Sequence, residues 1–237
     1  MIKCVIKLSQ LGRFRQLGQF RQLGQFSQFI YNRINRINRL NCINRLNRLN
    51  IIIGFLILLG FAAFAVAPAK RAVMILPSHN YQEDEYLIPR QILEEGGVEI
   101  KVASSSLNAA EGMRGGMIQP DLKISDIETE DFDAIIYVGG IGAEEYYKDE
   151  EALLLAREAY QQKKVLAAIC IAPAILARAG VLKGSRATCS WYSISELRRG
   201  KARYTGKAVE VSGKIITASG PGAARAFGRA ILKALSE

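Results

Sequence analysis

At 237 residues, 49% of them hydrophobic and 23% charged, the chain can hold one domain of ordinary size with a full core and sequence to spare. Its formal charge of +10 sits at the front: residues 1–69 carry 10 of the 32 Lys and Arg and no Asp or Glu, which leaves 22 basic against 22 acidic residues from Lys70 onward. A neutral domain excludes the broad basic face of a nucleic-acid binder, so no nucleic-acid partner is expected for the folded part.

Residues 1–50 read as a low-complexity basic leader. A six-residue repeat, "SQLGRF", "RQLGQF", "RQLGQF", gives way to a three-residue one, "NRINRINRLNCINRLNRLN". An apolar residue at every third position drifts around a helix instead of holding one face, and the repeat matches no solenoid period. Two readings stay open: translated tandem nucleotide repeats or a misassigned start, and a disordered basic tail resting on anionic lipid. Residues 51–69 form a hydrophobic segment. Its uncharged run, Ile51 to Ala67, is slightly long for a signal-peptide core and at the short limit for a transmembrane helix. Ala67-Pro68-Ala69 has the small-x-small pattern of a signal peptidase site, while the run could equally stay in the membrane through residues 51–67. The basic flank then puts the domain on the non-cytoplasmic side, exported or membrane-anchored; with a misassigned start it is cytoplasmic.

From Lys70 the pattern alternates. "RAVMIL" predicts a buried strand, "EYLIPRQILEEGG" a helix closed by Gly96 and Gly97, and "VEIKVAS" the next strand. A Ser- and Gly-rich irregular stretch follows, then "DAIIYV" as a strand running into Gly139-Gly140. "EEALLLAREAYQQ" is a helix, "VLAAI" a strand, "APAILARAG" a helix stopped by Gly180, and "RATCS" a strand before a polar helix. "KAVEVSGKIITAS" predicts a hairpin turning at Ser212-Gly213, and "GPGAARAFGRAILKAL" a closing helix. Strands alternating with helices imply an α/β domain over residues 70–237, with a mostly parallel sheet covered on both faces and function collected at the carboxyl ends of its strands.

Three features fall at those ends. Cys170 follows a strand directly and precedes a helix, the setting of a nucleophile elbow, where a helix N-terminus favours the thiolate and lowers its pKa. A buried cysteine that merely ends a core strand is the competing reading. If the first helix begins near Asp84, Glu85 shares a face with Ile88, Pro89 and Ile92, which puts a carboxyl of raised pKa on the buried side; Glu83 and Asp84 read as a solvated acidic first turn. Gly139 and Gly140 let the backbone approach a ligand, although a Gly-Gly pair after a strand is also an ordinary turn. Of the four cysteines only Cys170 and Cys189 lie in the domain, too few for a disulfide scaffold. His79, Glu83 and Asp84 are too few and too irregular to read as metal ligands, and neither metal nor cofactor is expected.

With "EYLIP", "FDAIIYVGG", "AAICIAP" followed by "LARAGVLKG", and "ITASGPGAARAFGRAI" in hand, the domain resembles the PfpI/DJ-one family of the class I glutamine amidotransferase-like superfamily. The resemblance spans roughly Lys70 to Leu235. It implies a flavodoxin-like three-layer sandwich, a reactive Cys170, a partner Glu85, backbone donors around Gly139, Gly140 and Ile171, and a homodimer or larger assembly. The chain departs from the family where a base is concerned. Peptidase members have a histidine directly after the cysteine, where this chain has Ile171; others have one on the following strand, near Ser190. The single histidine, His79, lies in the loop after the first strand and is the one imidazole that could reach Cys170. Ser190, Trp191, Tyr192 and Tyr81 are candidates for the pocket mouth.

The leading reading is a Cys170–Glu85 enzyme acting on small carbonyl or amide substrates, glyoxalase-like, deglycase-like or amidase-like. Three others compete: a thiol redox sensor or protective protein without turnover, a cysteine peptidase recruiting His79, and a membrane-tethered, non-catalytic interaction domain.

Overall fold

In a computed structural model, which describes residues 69–237 and, ahead of them, Asn32 alone, strands and helices alternate from Arg71 to the C-terminus. β1 (Arg71–Ile75) leads into β2 (His79–Tyr81) and α1 (Glu83–Glu95), and β3 (Glu99–Ser104) into the short strands β4 (Ala110–Gly112), β5 (Met117–Ile118) and β6 (Leu122–Lys123). β7 (Ala134–Tyr137), α2 (Glu150–Gln161), β8 (Val165–Ile169) and α3 (Pro173–Arg178) follow. The rest is β9 (Arg186–Ala187), α4 (Ile194–Arg199), β10 (Arg203–Tyr204), the hairpin β11 (Val209–Ser212) and β12 (Ile215–Ala218), and α5 (Ala224–Ser236).

Seven strands form the central sheet in the order β11-β12-β8-β7-β1-β3-β6, parallel throughout except for β11 on its edge. Successive side chains of a strand point to opposite faces, and here both faces are dry. Ala72, Met74 and Leu76 join Ile136, Ala167 and Ile216 on one side, under Tyr86 and Leu93 of α1 and Phe227, Ile231 and Leu235 of α5. Val73 and Ile75 join Ile135, Tyr137 and Leu166 on the other, under Leu153 and Leu155 of α2, Ile175 and Leu176 of α3, and Leu197 of α4. This is the doubly covered parallel sheet that the alternation implies, in the flavodoxin-like three-layer form that the family resemblance implies.

Two local expectations change. Of "RATCS" only Arg186–Ala187 is strand, and it pairs with β10 outside the main sheet. The Ser- and Gly-rich stretch is not irregular throughout: β4 pairs with β2 on one side and β5 on the other in a small three-stranded ribbon over the start of α1. That ribbon buries Glu83, which is 5% exposed rather than solvated. Its carboxylate accepts the Arg114 backbone N–H (2.6 Å) and faces the Arg114 guanidinium (3.4 Å). A Cβ on Gly112 would stand 2.4 Å from Glu83 Oε1, so the close approach requires glycine there.

The described residues 69–237 fall within a single compact unit. Apart from Asn32, the basic leader of residues 1–50 and the apolar run from Ile51 to Ala67, with the anchor or signal expected of it, lie outside the described residues. Among the described residues no helix is long and apolar enough to cross a membrane.

Candidate active site

β8 is buried over its whole length and delivers Cys170 to the end of the sheet between the two helical layers, where it packs against both cores. The turn there is sharp. Cys170 has φ +64°, a left-handed conformation that a residue with a side chain holds only when its surroundings enforce it. They do so from both sides of the peptide: the Cys170 N–H donates to the Ala218 carbonyl of β12 (2.9 Å), and the Cys170 carbonyl accepts the Ser190 N–H (2.7 Å). Three residues later Pro173 opens α3.

Glu85 reaches the same point from α1. Gln82 caps that helix with its side-chain oxygen, accepting the N–H groups of Asp84 (2.6 Å) and Glu85 (3.1 Å). The Glu85 side chain is fully buried. Gly139 is the wedge between the two functional groups: a Cβ added to it would lie 2.3 Å from Glu85 Oε2, 2.6 Å from Cys170 Cβ and 2.7 Å from the Ile169 carbonyl oxygen. Carboxyl and thiol are therefore packed onto one glycine, with Gly220 on the far side, its Cβ position 3.9 Å from Glu85 Oε1.

Burial pushes the Glu85 carboxyl up to about 8, reinforced by the charge of Asp84 and opposed by the Cys170 thiol and the Gly139 N–H. These two groups face the carboxyl without completing a bond of normal geometry to either oxygen. Burial, then the charge of Glu85 and its contact with the sulfur, push the Cys170 thiol up to about 12, against the N–H groups of Gly140 and Ile171, which face the sulfur. The thiol is thus raised, not lowered as its place before a helix suggested; α3 is only six residues long, and burial together with a neighbouring carboxylate outweighs it. The two groups lose protons as a pair, the first near pH 8. The thiol of Cys189, 1% exposed, is pushed up to about 12 by burial alone, and both cysteines are free.

The remaining candidates are placed as follows. The Gly139 N–H serves Glu85, while those of Gly140 and Ile171 serve the sulfur. The Ile171 side chain is buried. The imidazole of His79 is 72% exposed, and its Nδ1 faces Glu111 at 3.9 Å. Ser190 is fastened to the Cys170 carbonyl; Trp191 and Tyr192 stand exposed beyond it. Tyr81 does not line a mouth: its ring is 1% exposed and meets Tyr86 edge-on in the core. Among the described residues no three His, Cys, Asp or Glu side chains are grouped to hold a metal.

Sequence reasoning missed Tyr147, whose hydroxyl donates to the Ile171 carbonyl (3.1 Å) and meets Ser193 Oγ (3.2 Å). It sits in a 3-10 segment, Ile141–Tyr147, that carries no helical periodicity to betray it. A cleft of about 590 Å³ behind it is lined by Arg178, Glu196 and Arg199 and does not reach Cys170. Glu196 takes Arg178 (2.8 Å) and Arg199 (2.5 Å), and Arg178 covers the Tyr147 ring at 4.9 Å. These contacts clamp Tyr147 at the cleft.

The profile of the DJ-1/PfpI family matches residues 70–234. An uncharacterized protein of Methanocaldococcus jannaschii, MJ0967, is 36% identical over 170 residues, 70% of this chain and 83% of the relative. The glutathione-independent glyoxalase DJR-1.2 of Caenorhabditis elegans is 28% identical over 72% of this chain and 91% of its own length. The deglycase PfpI of Pyrococcus furiosus is 28% identical over 69% and 98%. Among solved structures, a ThiJ/PfpI domain protein from Brachyspira murdochii superimposes with a TM-score of 0.70 at 32% identity, covering 72% of this chain and 98% of that one.

Proposed function

The chain belongs to the DJ-1/PfpI family, and from that premise we propose that it is a glyoxalase- or deglycase-type enzyme in which Cys170 attacks a small 2-oxoaldehyde, free or as an adduct, and Glu85 carries the protons. The observation that carries this reading is the wedge at Gly139, where the absence of a side chain lets a buried carboxyl and a half-buried cysteine close on the same position. Relatives named as glyoxalase and deglycase support the substrate class.

The chemistry balances without an external oxidant. Starting from the pair with one proton, Glu85 accepts the thiol proton as Sγ bonds to the aldehyde carbon and the C=O electron pair moves onto oxygen. Glu85 returns that proton to the oxygen, giving a hemithioacetal. The carboxylate then removes the C–H proton, the freed electron pair forms the carbon–carbon double bond of an enediolate whose charge sits on the former ketone oxygen, and Glu85 delivers the proton to the former ketone carbon while the hydroxyl proton on the neighbouring carbon passes to that oxygen. The aldehyde carbon is now a thioester and the ketone carbon an alcohol, an internal exchange of oxidation levels. Water cleaves the thioester to a 2-hydroxy acid and restores the thiol. The N–H groups of Gly140 and Ile171 are aimed where negative charge sits on the sulfur.

Peptide cleavage is supported less well. Expelling an amine needs a proton donor, normally an imidazole, and the His79 ring is 72% exposed and turned to Glu111. The test is conversion of methylglyoxal to lactate by the wild-type chain and its variants. Cys170→Ser should abolish turnover, Glu85→Gln should lower kcat by about 10²-fold or more, and His79→Ala should leave it nearly unchanged. Turnover that survives Cys170→Ser, or that depends on His79 as strongly as on Glu85, overturns the reading.

A further inference from the structure

Among the described residues no large apolar side chains are more exposed than Trp191 (70%) and Tyr192 (69%). Their rings stack on each other with centroids 3.6 Å apart at 28°, which leaves one face of each open. Their backbone, by contrast, is held at both ends, and both fastenings lead to the nucleophile's own turn. Ahead of the rings, the Ser190 N–H donates to the Cys170 carbonyl (2.7 Å). Behind them, buried Ser193 meets the Tyr147 hydroxyl (3.2 Å), and that hydroxyl, having a single proton, spends it on the Ile171 carbonyl (3.1 Å). Neither ring is more than one residue from a group hydrogen-bonded to Cys170 or joined through Tyr147 to Ile171. On the neighbouring strand end Ile141, 61% exposed, follows Gly140, whose N–H faces the sulfur.

We propose that the Trp191–Tyr192 stack is the specificity-determining rim of the Cys170 site, selecting carbonyl substrates whose substituent is aromatic or broadly apolar over those bearing only a methyl group. The proposal rests on the reaction assigned to Cys170 above and adds the part of the substrate remote from the reacting carbon. An open aromatic face takes a second ring in an offset or edge-on arrangement, and such a pair favours the aryl substrate by about threefold to tenfold. Fastening the rim to the nucleophile's turn lets that contact position the carbonyl carbon over the sulfur, so the preference falls on kcat/KM.

The test compares phenylglyoxal with methylglyoxal as substrates of the full chain, with Cys170→Ser as the blank for arginine modification. Trp191→Ala and Tyr192→Ala should each lower kcat/KM for phenylglyoxal about threefold to tenfold more than for methylglyoxal, and Trp191→Phe should restore most of the preference. A parallel readout needs no turnover: Cys170 alkylation by phenacyl bromide, which loses bromide as the C–S bond forms, against iodoacetamide, with mass spectrometry separating Cys170 from buried Cys189. The same change in ratio is expected. If neither glyoxal is converted by the wild-type chain but the alkylation ratio still follows the rings, the reaction assigned above fails and the rim stands. Equal effects on both members of each pair of reagents overturn the rim. So does loss of a self-associated species in Trp191→Ala with unchanged ratios, which would assign the stack to an interface between copies.

Discussion

Gly139, on a third element, brings together Cys170 and Glu85, which stand 85 positions apart. Each of the two is a candidate by a local signal, the strand–turn–helix pattern for one and helical spacing for the other, whereas their pairing is implied by the family resemblance and by no local pattern. Sequence pattern offers Gly139 as one glycine of a pair at a strand end; only the packing shows that a methyl group there would meet a carboxylate oxygen, the Cys170 Cβ and a backbone carbonyl, all within 2.7 Å. Two of those neighbours are backbone or fixed to it, so the pair must spread. Gly139→Ala is therefore expected to lower methylglyoxal turnover by about 10²-fold, the penalty of displacing reacting groups by about an ångström. Gly222→Ala, whose Cβ would meet nothing within 4 Å, is the control and should leave turnover as it is. The left-handed φ of Cys170 is equally a property of its surroundings, namely the bonds to Ala218 and Ser190, and no residue type announces it.

At the scale of elements, the long helices and the buried strands could be read from period and length: "VLAAI" is β8, and the hairpin of β11 and β12 turns where Ser212-Gly213 suggested. The failures were short pieces. Two-residue strands such as β5, β6, β9 and β10 carry no periodicity, and their pairing is decided by what lies beside them. Helix packing was likewise silent. α1, which carries Glu85, crosses α5 at Gly228, where a Cβ would stand 2.9 Å from Pro89 Cα and 3.1 Å from Ile92 Cδ1. Alanine in a helix gains about 1 kcal/mol over glycine, but overpacking against a backbone atom costs about 1–3 kcal/mol. Gly228→Ala should therefore destabilise by up to about 2 kcal/mol, seen as a lower urea midpoint with an unchanged slope. A raised midpoint would show that the two helices can separate without cost.

For the whole molecule, the buried Glu85 makes stability depend on pH in the opposite sense to a salt-bridged carboxylate. Its folded pKa of about 8 lies above the ordinary 4.5. Below 4.5 both states hold the proton; between 4.5 and 8 the unfolded chain releases it and the folded one keeps it, so stability falls as pH rises, by about 1.4 kcal/mol per pH unit at most. Glu83 and Glu210 are buried too, yet backbone N–H donors and Arg114 for the first, and Arg186 with Lys207 for the second, hold them below the ordinary value, so their contribution is lost only toward acid. Urea midpoints between pH 5 and pH 8 should decline for the wild-type chain and flatten in Glu85→Gln; parallel curves would mean that Glu85 ionises freely in the fold. The sequence by itself determined the neutral domain from Lys70, its doubly covered parallel sheet and the cysteine at a strand's end, because composition and hydrophobic period act over neighbouring residues. Tertiary structure alone decided that one glycine is wedged between the carboxyl and the thiol and that burial raises both of them, because burial and contact between distant segments exist only once the layers have closed.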